Sequence, residues 1–131
     1  MIRSLQLGPE PIDEPALVAA RRMGGGMGAA ISFSGVVRGS EDGAPISGLD
    51  YEAFVPMAEH QFHRLFDQIS TRWPTVESVR LVHRLGPVKV NEASLWVEIV
   101  APHRGEAFAA CQWLIDEMKR VVPIWKKPVS E

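Results

Sequence analysis

The chain has 131 residues, about one domain's length, and its 46% hydrophobic and 23% charged residues exclude a disordered chain and suffice for one core. The net charge of −2 and pI of about 6.1 argue against a general nucleic-acid binder, which would carry a basic face. A lone cysteine, Cys111, excludes an internal disulfide and a thiolate zinc cage; with no apolar run near the roughly 20 residues of a membrane helix and no secretory h-region at Met1-Ile2-Arg3-Ser4-Leu5, a cytoplasmic protein is expected.

Asp13-Glu14-Pro15 reads as a helix start, a capping acid followed by proline in the first turn. That helix is expected to reach about Met23, where Gly24-Gly25-Gly26 stop it. Residues 28–38 alternate small or polar with apolar side chains and predict a strand. Residues 40–45 read as a loop by their turn residues. A second strand is expected over 49–54, with Leu49, Tyr51 and Ala53 on one face.

Pro56 suits the first turn of a long helix. Met57, Phe62, Leu65, Phe66, Ile69 and Trp73 recur at helical spacing as its buried stripe, and Pro74 marks its end. Val79, Leu81, His83 and Leu85 alternate as a third strand. Gly86-Pro87 turn the chain before a short strand at 88–90. Ala93, Leu95, Val97, Ile99 and Ala101 form one face of a long strand, which leaves Trp96 and Val100 as an apolar outer face suited to a homodimer contact. A last helix starts after His103-Arg104-Gly105, buries Ala107, Cys111, Leu114, Met118 and Val122, and ends at Pro123. Helix, two strands, helix, two or three strands and helix make an α+β chain.

Most chemistry-bearing residues have bland roles. Cys111 shares an apolar stripe with no base within a turn, as a structural thiol does. His60 and His63 lack a third ligand and suit a solvated helix edge; no metal site is expected. Gly24 to Gly28 precede no helix that could cradle a phosphate. By strand alternation, His83 and Arg84 should point to opposite faces, one inward and one outward.

Two segments point further. Pro102-His103-Arg104 sits where a strand ends and a helix begins, a common anion site. Three of the four lysines, Lys119, Lys126 and Lys127, fall near the C-terminal end of an acidic chain. A basic helix end with a solvated tail is one account of them. The other starts from Ile124-Trp125, which should dock on the body and hold Lys126 near Lys119. Two close ammonium groups repel, which favours a neutral amine able to act as base or nucleophile. Arg38, ending the first strand, offers a planar fork for phosphate or carboxylate. These residues suggest a pocket for an anionic small molecule.

Gly28-Ala29 leading to Phe33-Ser34-Gly35-Val36-Val37-Arg38, Leu49-Asp50-Tyr51-Glu52-Ala53-Phe54 with Met57-Ala58, His83-Arg84-Leu85-Gly86, Pro102-His103-Arg104 with Ala107-Phe108, and Lys119 followed by Pro123-Ile124-Trp125-Lys126-Lys127 form an ordered set. In that order and spacing, over about residues 28–127, the chain resembles the large, catalytic subunit of molybdopterin synthase. The resemblance implies a single α/β-hammerhead-type α+β domain over 1–131, with a mixed, mostly antiparallel sheet and three helices. It implies a sulfurtransferase of molybdenum cofactor biosynthesis that installs a dithiolene on a cyclic pyranopterin monophosphate, without a cofactor of its own. Sulfur would come from the thiocarboxylated C-terminus of a small ubiquitin-like partner, whose tail enters a pocket on the large subunit. A homodimer of large subunits would form the core of a heterotetramer. Lys119 and Lys126 match the catalytic pair. Val36, Val37, Arg38, His103, Arg104, Lys127 and Pro128 match substrate-pocket positions, with His103 and Arg104 reaching in from the other protomer. Asn91-Glu92 stands where the family usually has Gly-Glu. The alternatives are a non-catalytic α+β module that binds an anion or a protein tail, and a basic end that serves assembly alone.

Overall fold

A computed structural model describes all residues, Met1–Glu131. In chain order the elements are β1 (Ile2–Gly8), α1 (Glu14–Ala19), β2 (Ala29–Val36), β3 (Ser40–Glu41), β4 (Ala44–Ala53), α2 (Val55–Arg72), β5 (Ser78–Arg84), β6 (Gly86–Lys89), β7 (Ala93–Ala101), α3 (Arg104–Val121) and β8 (Ile124–Ser130). The expected α+β architecture with three helices is observed, divided between two sheets. The larger has the order β1-β5-β7-β2, with β1 parallel to β5 and the other pairs antiparallel. The smaller has the order β3-β4-β6, and β8 pairs with β4 along its length.

The two long helices cover one face of the larger sheet. Along α2 the buried positions Ala58, Phe62, Leu65, Phe66 and Ile69 repeat every three or four residues; along α3 they are Ala107, Ala110, Cys111, Leu114 and Met118. Together with Val79, Leu81, Val97 and Ile99 from the strands they form the main core. Each large side chain so buried contributes about 1.5–3 kcal/mol. Met57, expected in the α2 stripe, is 42% exposed in the first turn, ahead of the packed section.

The other face of that sheet is also covered, which changes several expectations. α1 is capped by Asp13, whose side chain accepts from Ala16 N at 3.1 Å, but it ends at Ala19 instead of near Met23. Beyond it, Arg21 Nε bonds to Glu98 Oε2 at 2.6 Å, while Arg80 Nε holds Glu98 Oε1 at 2.8 Å and Arg80 Nη2 donates to Leu17 O at 2.8 Å. This clamp binds the α1 segment over β5 and β7. Trp96 and Val100 are consequently buried, at 1% and 0% exposure, with the Arg80 guanidinium stacked 5.0 Å over the Trp96 ring. They offer no outer surface for a second copy. His83 and Arg84 are both buried, His83 against the Tyr51 ring at 5.0 Å and Arg84 with Nη1 3.3 Å from Glu92 Oε1 and Nη2 3.4 Å from Pro87 O.

Three strands were not expected. β1 adds in register to β5, from Ile2 opposite Ser78 to Gly8 opposite Arg84. Residues 40–45 form a tight hairpin, with Asp42 at φ 51° and Gly43 at φ 81°, the two positive values that a two-residue turn of this hand requires. The C-terminal segment is strand β8, bonded to β4 from Ile46–Ser130 to Ala53–Ile124. Asn91 takes φ 73°, a left-handed conformation that asparagine tolerates, so the turn before β7 forms without glycine.

Candidate functional site

A cavity of about 490 Å³ opens between the two sheets, beside the C-terminal end of α3. β2 supplies Phe33, Ser34, Gly35 and Val36, and Arg38 follows it. The turn after β2 is fixed by Val37, whose N donates to Glu92 O at 3.0 Å and whose O accepts from Asn91 N at 2.8 Å. Across the opening, Pro123 ends α3 and β8 returns along β4, which places Lys126 directly opposite Tyr51; both line the cavity. Lys119, from the last turn of α3, lines the same wall.

Four predicted site residues therefore meet in one concavity: Val36, Arg38, Lys119 and Lys126. Ile124 and Trp125 both line the cavity, Ile124 packed against the main core and Trp125 47% exposed. Neither Arg38 nor Lys119 has an acidic partner, whereas Lys126 Nζ lies 3.5 Å from Glu41 Oε2. The expected pairing of lysines is thus modified, because Glu41 brings a carboxylate to one of them. Its signal was Asp42-Gly43, a strong hairpin dipeptide that folds Glu41 back toward the cavity.

The other predicted residues are elsewhere. Val37 is 2% exposed in a small core with Ile46, Leu49 and Val88, and its backbone groups are both engaged, so it does not line the cavity. Lys127 Nζ pairs with Glu52 Oε1 at 3.3 Å, outside the cavity, and Pro128 is exposed opposite Leu49 on β8. His103 and Arg104 stand at the far end of α3. Arg104 precedes Lys119 by fifteen residues, about 22 Å along the helix axis, so one chain cannot bring both to one small ligand. His103 Nδ1 lies 3.1 Å from Glu106 Oε1, and the same oxygen accepts from His103 N at 3.0 Å.

The cavity also holds three polar residues whose place there no local sequence pattern signals: Tyr51, His83 and Ser94. Tyr51 Oη donates to Ser94 Oγ at 3.1 Å, and Ser94 Oγ donates to Gly35 O at 3.4 Å. Burial lowers the His83 pKa, against a smaller opposing effect of its bond to Arg84 O. Cys111 is buried, and desolvation raises its pKa, so it stays an unreactive thiol. Chemically, the site combines three cationic side chains, a carboxylate and a partly apolar wall.

Residues 7–121 match the family model described as MoaE protein. The chain belongs to the MoaE family. A molybdopterin synthase catalytic subunit of Nostoc sp. is 45% identical over 100 residues, which are 76% of this chain and 61% of that protein's own length. The protein of the same name from Staphylococcus carnosus is 41% identical over 104 residues, 79% of this chain and 69% of its own length. These MoaE relatives carry the name of an enzyme. The fold matches the crystal structure of molybdopterin synthase from Staphylococcus aureus with a TM-score of 0.87 and 32% identity, covering 96% of this chain and 90% of that one. No helix of the chain is long and apolar enough to cross a membrane.

Proposed function

We propose that this MoaE-family chain is the catalytic subunit of a molybdopterin synthase. It would convert cyclic pyranopterin monophosphate to molybdopterin with sulfur from the thiocarboxylated tail of a small ubiquitin-like partner. The observation that carries this reading is the cavity in which Arg38, Lys119 and Lys126 converge in a chain of net negative charge. A phosphate-bearing substrate and a partner ending in a carboxyl derivative are both anions, and two of the three cations have no acidic partner of their own. The name "catalytic subunit" borne by the relatives fits a reaction shared with a second chain.

In this reading Arg38 takes the phosphate through its planar fork. Lys119 and Lys126 move protons as sulfur adds and the cyclic phosphate opens, a role an arginine cannot take because it stays protonated. No cysteine of this chain is needed, since sulfur arrives on the partner. His103 and Arg104 act on the cavity of a second copy, which makes the active form a homodimer within a heterotetramer. The test is single-turnover conversion of cyclic pyranopterin monophosphate by the purified chain with saturating thiocarboxylated partner. Formation of molybdopterin is expected. Tight binding of both without product would favour a non-catalytic binding module.

A further inference from the structure

The cavity floor carries a histidine that the lysine chemistry does not use. His83 lies opposite Leu95, and Leu95 opposite Gly35, so the three form one row across β5, β7 and β2 on the face that lines the cavity. His83 is 6% exposed. Its Nδ1 lies 2.7 Å from the carbonyl oxygen of Arg84. A carbonyl only accepts, so Nδ1 carries the hydrogen and Nε2 of the neutral ring is left as a lone-pair acceptor. Nothing in the protein satisfies that acceptor. The Tyr51 ring meets His83 edge-on at 5.0 Å, but the Tyr51 hydroxyl donates to Ser94 and the Ser94 hydroxyl to Gly35 O, so both nearby hydroxyl protons are committed. Those contacts hold the ring in place without filling Nε2.

The ring also stays neutral. The charged groups lining the cavity are Arg38 after β2, Glu41 of β3, Lys119 of α3 and Lys126 of β8, three cations against one anion. A protonated, desolvated imidazole would add a fourth positive charge. Burial accordingly depresses the His83 pKa. A neutral acceptor on the floor of a cation-rimmed cavity selects a ligand with an anionic end and an uncharged N–H donor. The apolar side chains Phe33, Leu95 and Trp125 suit a flat ring.

We propose that His83 Nε2 accepts a hydrogen bond from a ring N–H of the bound heterocycle and so fixes its orientation on the cavity floor. The inference rests on the functional reading above, since that reading supplies a pterin with its phosphate. A peptide N–H of the partner's tail is the other source of the same donor chemistry, and the test separates the two.

The chain contains four histidines, so imidazole-nitrogen labelling resolves them by NMR. Titration of the labelled full chain with cyclic pyranopterin monophosphate alone should move the His83 Nε2 resonance, as a lone pair does when it accepts a hydrogen bond, and leave Nδ1 near its place. Partner protein without sulfur, added alone, should leave both unmoved. In calorimetry His83→Leu should bind the precursor about 10- to 100-fold more weakly, the loss expected when a buried donor goes unpaired. His83→Gln, with a carbonyl that can reach the same position, should recover most of that loss, and the defect should fall on KM more than on kcat. The proposal is overturned if the precursor binds while Nε2 does not move, if the shift arises only with the partner, or if His83→Leu binds normally. If the wild-type chain binds no precursor, the functional reading fails and this inference fails with it.

Discussion

Charge gathers on both sides of the larger sheet, and the two sides treat it differently. Beneath α1, Glu98 is 1% exposed and both its oxygens are taken by arginines. Burial alone would raise its pKa; the guanidiniums of Arg80 and Arg21 outweigh that and hold it below the ordinary value. On the cavity side, Arg38 and Lys119 have no acidic partner, and Lys126 alone meets one, at 3.5 Å. The chain has 16 acidic residues against 14 lysines and arginines, so partners were not in short supply. Charge that holds the fold is buried and paired, whereas the charge proposed to meet a ligand is left open at a concave surface.

The largest effect should come from Lys119. Lys119→Arg keeps the charge and the helix but replaces the amine with a guanidinium, which stays protonated and cannot move a proton. Single-turnover conversion should fall by about 10²-fold or more, the scale of general acid–base catalysis, with thermal stability and precursor binding largely kept. Lys126→Ala should impair the reaction less completely. Near-normal turnover by Lys119→Arg would reduce Lys119 to a positive charge.

Next comes the other face. Glu98→Ala leaves two guanidiniums facing a dry space and should cost about 3 kcal/mol in denaturant unfolding. The low end of the range applies because Arg21 and Arg80 keep 24% and 15% side-chain exposure. The folded variant should bind precursor as the wild type does. Unchanged stability, or a selective loss of binding, would break the distinction between the two faces.

A smaller effect is expected at the anion contacts. Arg38→Ala and Arg104→Ala should each weaken precursor binding about 10- to 100-fold, the worth of a charge-assisted hydrogen bond, without unfolding. In the proposed dimer the two would differ in which subunit they damage. In a purified hybrid dimer of Arg104→Ala with Lys119→Ala subunits, one of two sites is intact if Arg104 serves its neighbour, and about half the activity should return. No recovery would place Arg104 outside the partner's site.

What was legible in the sequence follows the same division. Helices α2 and α3 and the inner face of β7 announce themselves by apolar period, because each buries one stripe against one core. β1 and β8 owe their conformation to β5 and β4, whose hydrogen-bonding edges no local pattern encodes; β8 even contains Pro128 and is exposed nearly throughout. At Trp96 and Val100 alternation predicts an outer face, and the α1 clamp turns that face into interior. Lys119 and Lys126 stand out by clustering near the C-terminal end of an acidic chain, and Arg38 by its place after a strand; Lys127 clusters with them but lies outside the cavity. Glu41, Tyr51, His83 and Ser94 did not, because it is pairing across strands, more than spacing along the chain, that brings them there.

The mildest test uses acidity to separate the two faces. The unfolded chain's histidines take a proton near pH 6.5, but folded His83 resists it because burial disfavours the cation. Below that pH the unfolded state holds a proton that native His83 lacks, so stability falls as pH falls, until the pH passes the depressed native pKa. The slope cannot exceed about 1.4 kcal/mol per pH unit for one group. Glu98 works in a lower window. Its stabilising contribution is complete above its ordinary value of 4.5 and is lost as pH falls through the still lower native pKa. Unfolding free energies at pH 7.5, 6 and 5 should therefore decline in the wild type and decline less in His83→Gln, while Glu98→Gln keeps the wild-type slope in that range and flattens it only in stronger acid. Equal slopes for wild type and His83→Gln between pH 7.5 and 5 would mean that the cavity floor is wetter than its 6% exposure indicates, and that His83 takes up its proton as easily folded as unfolded.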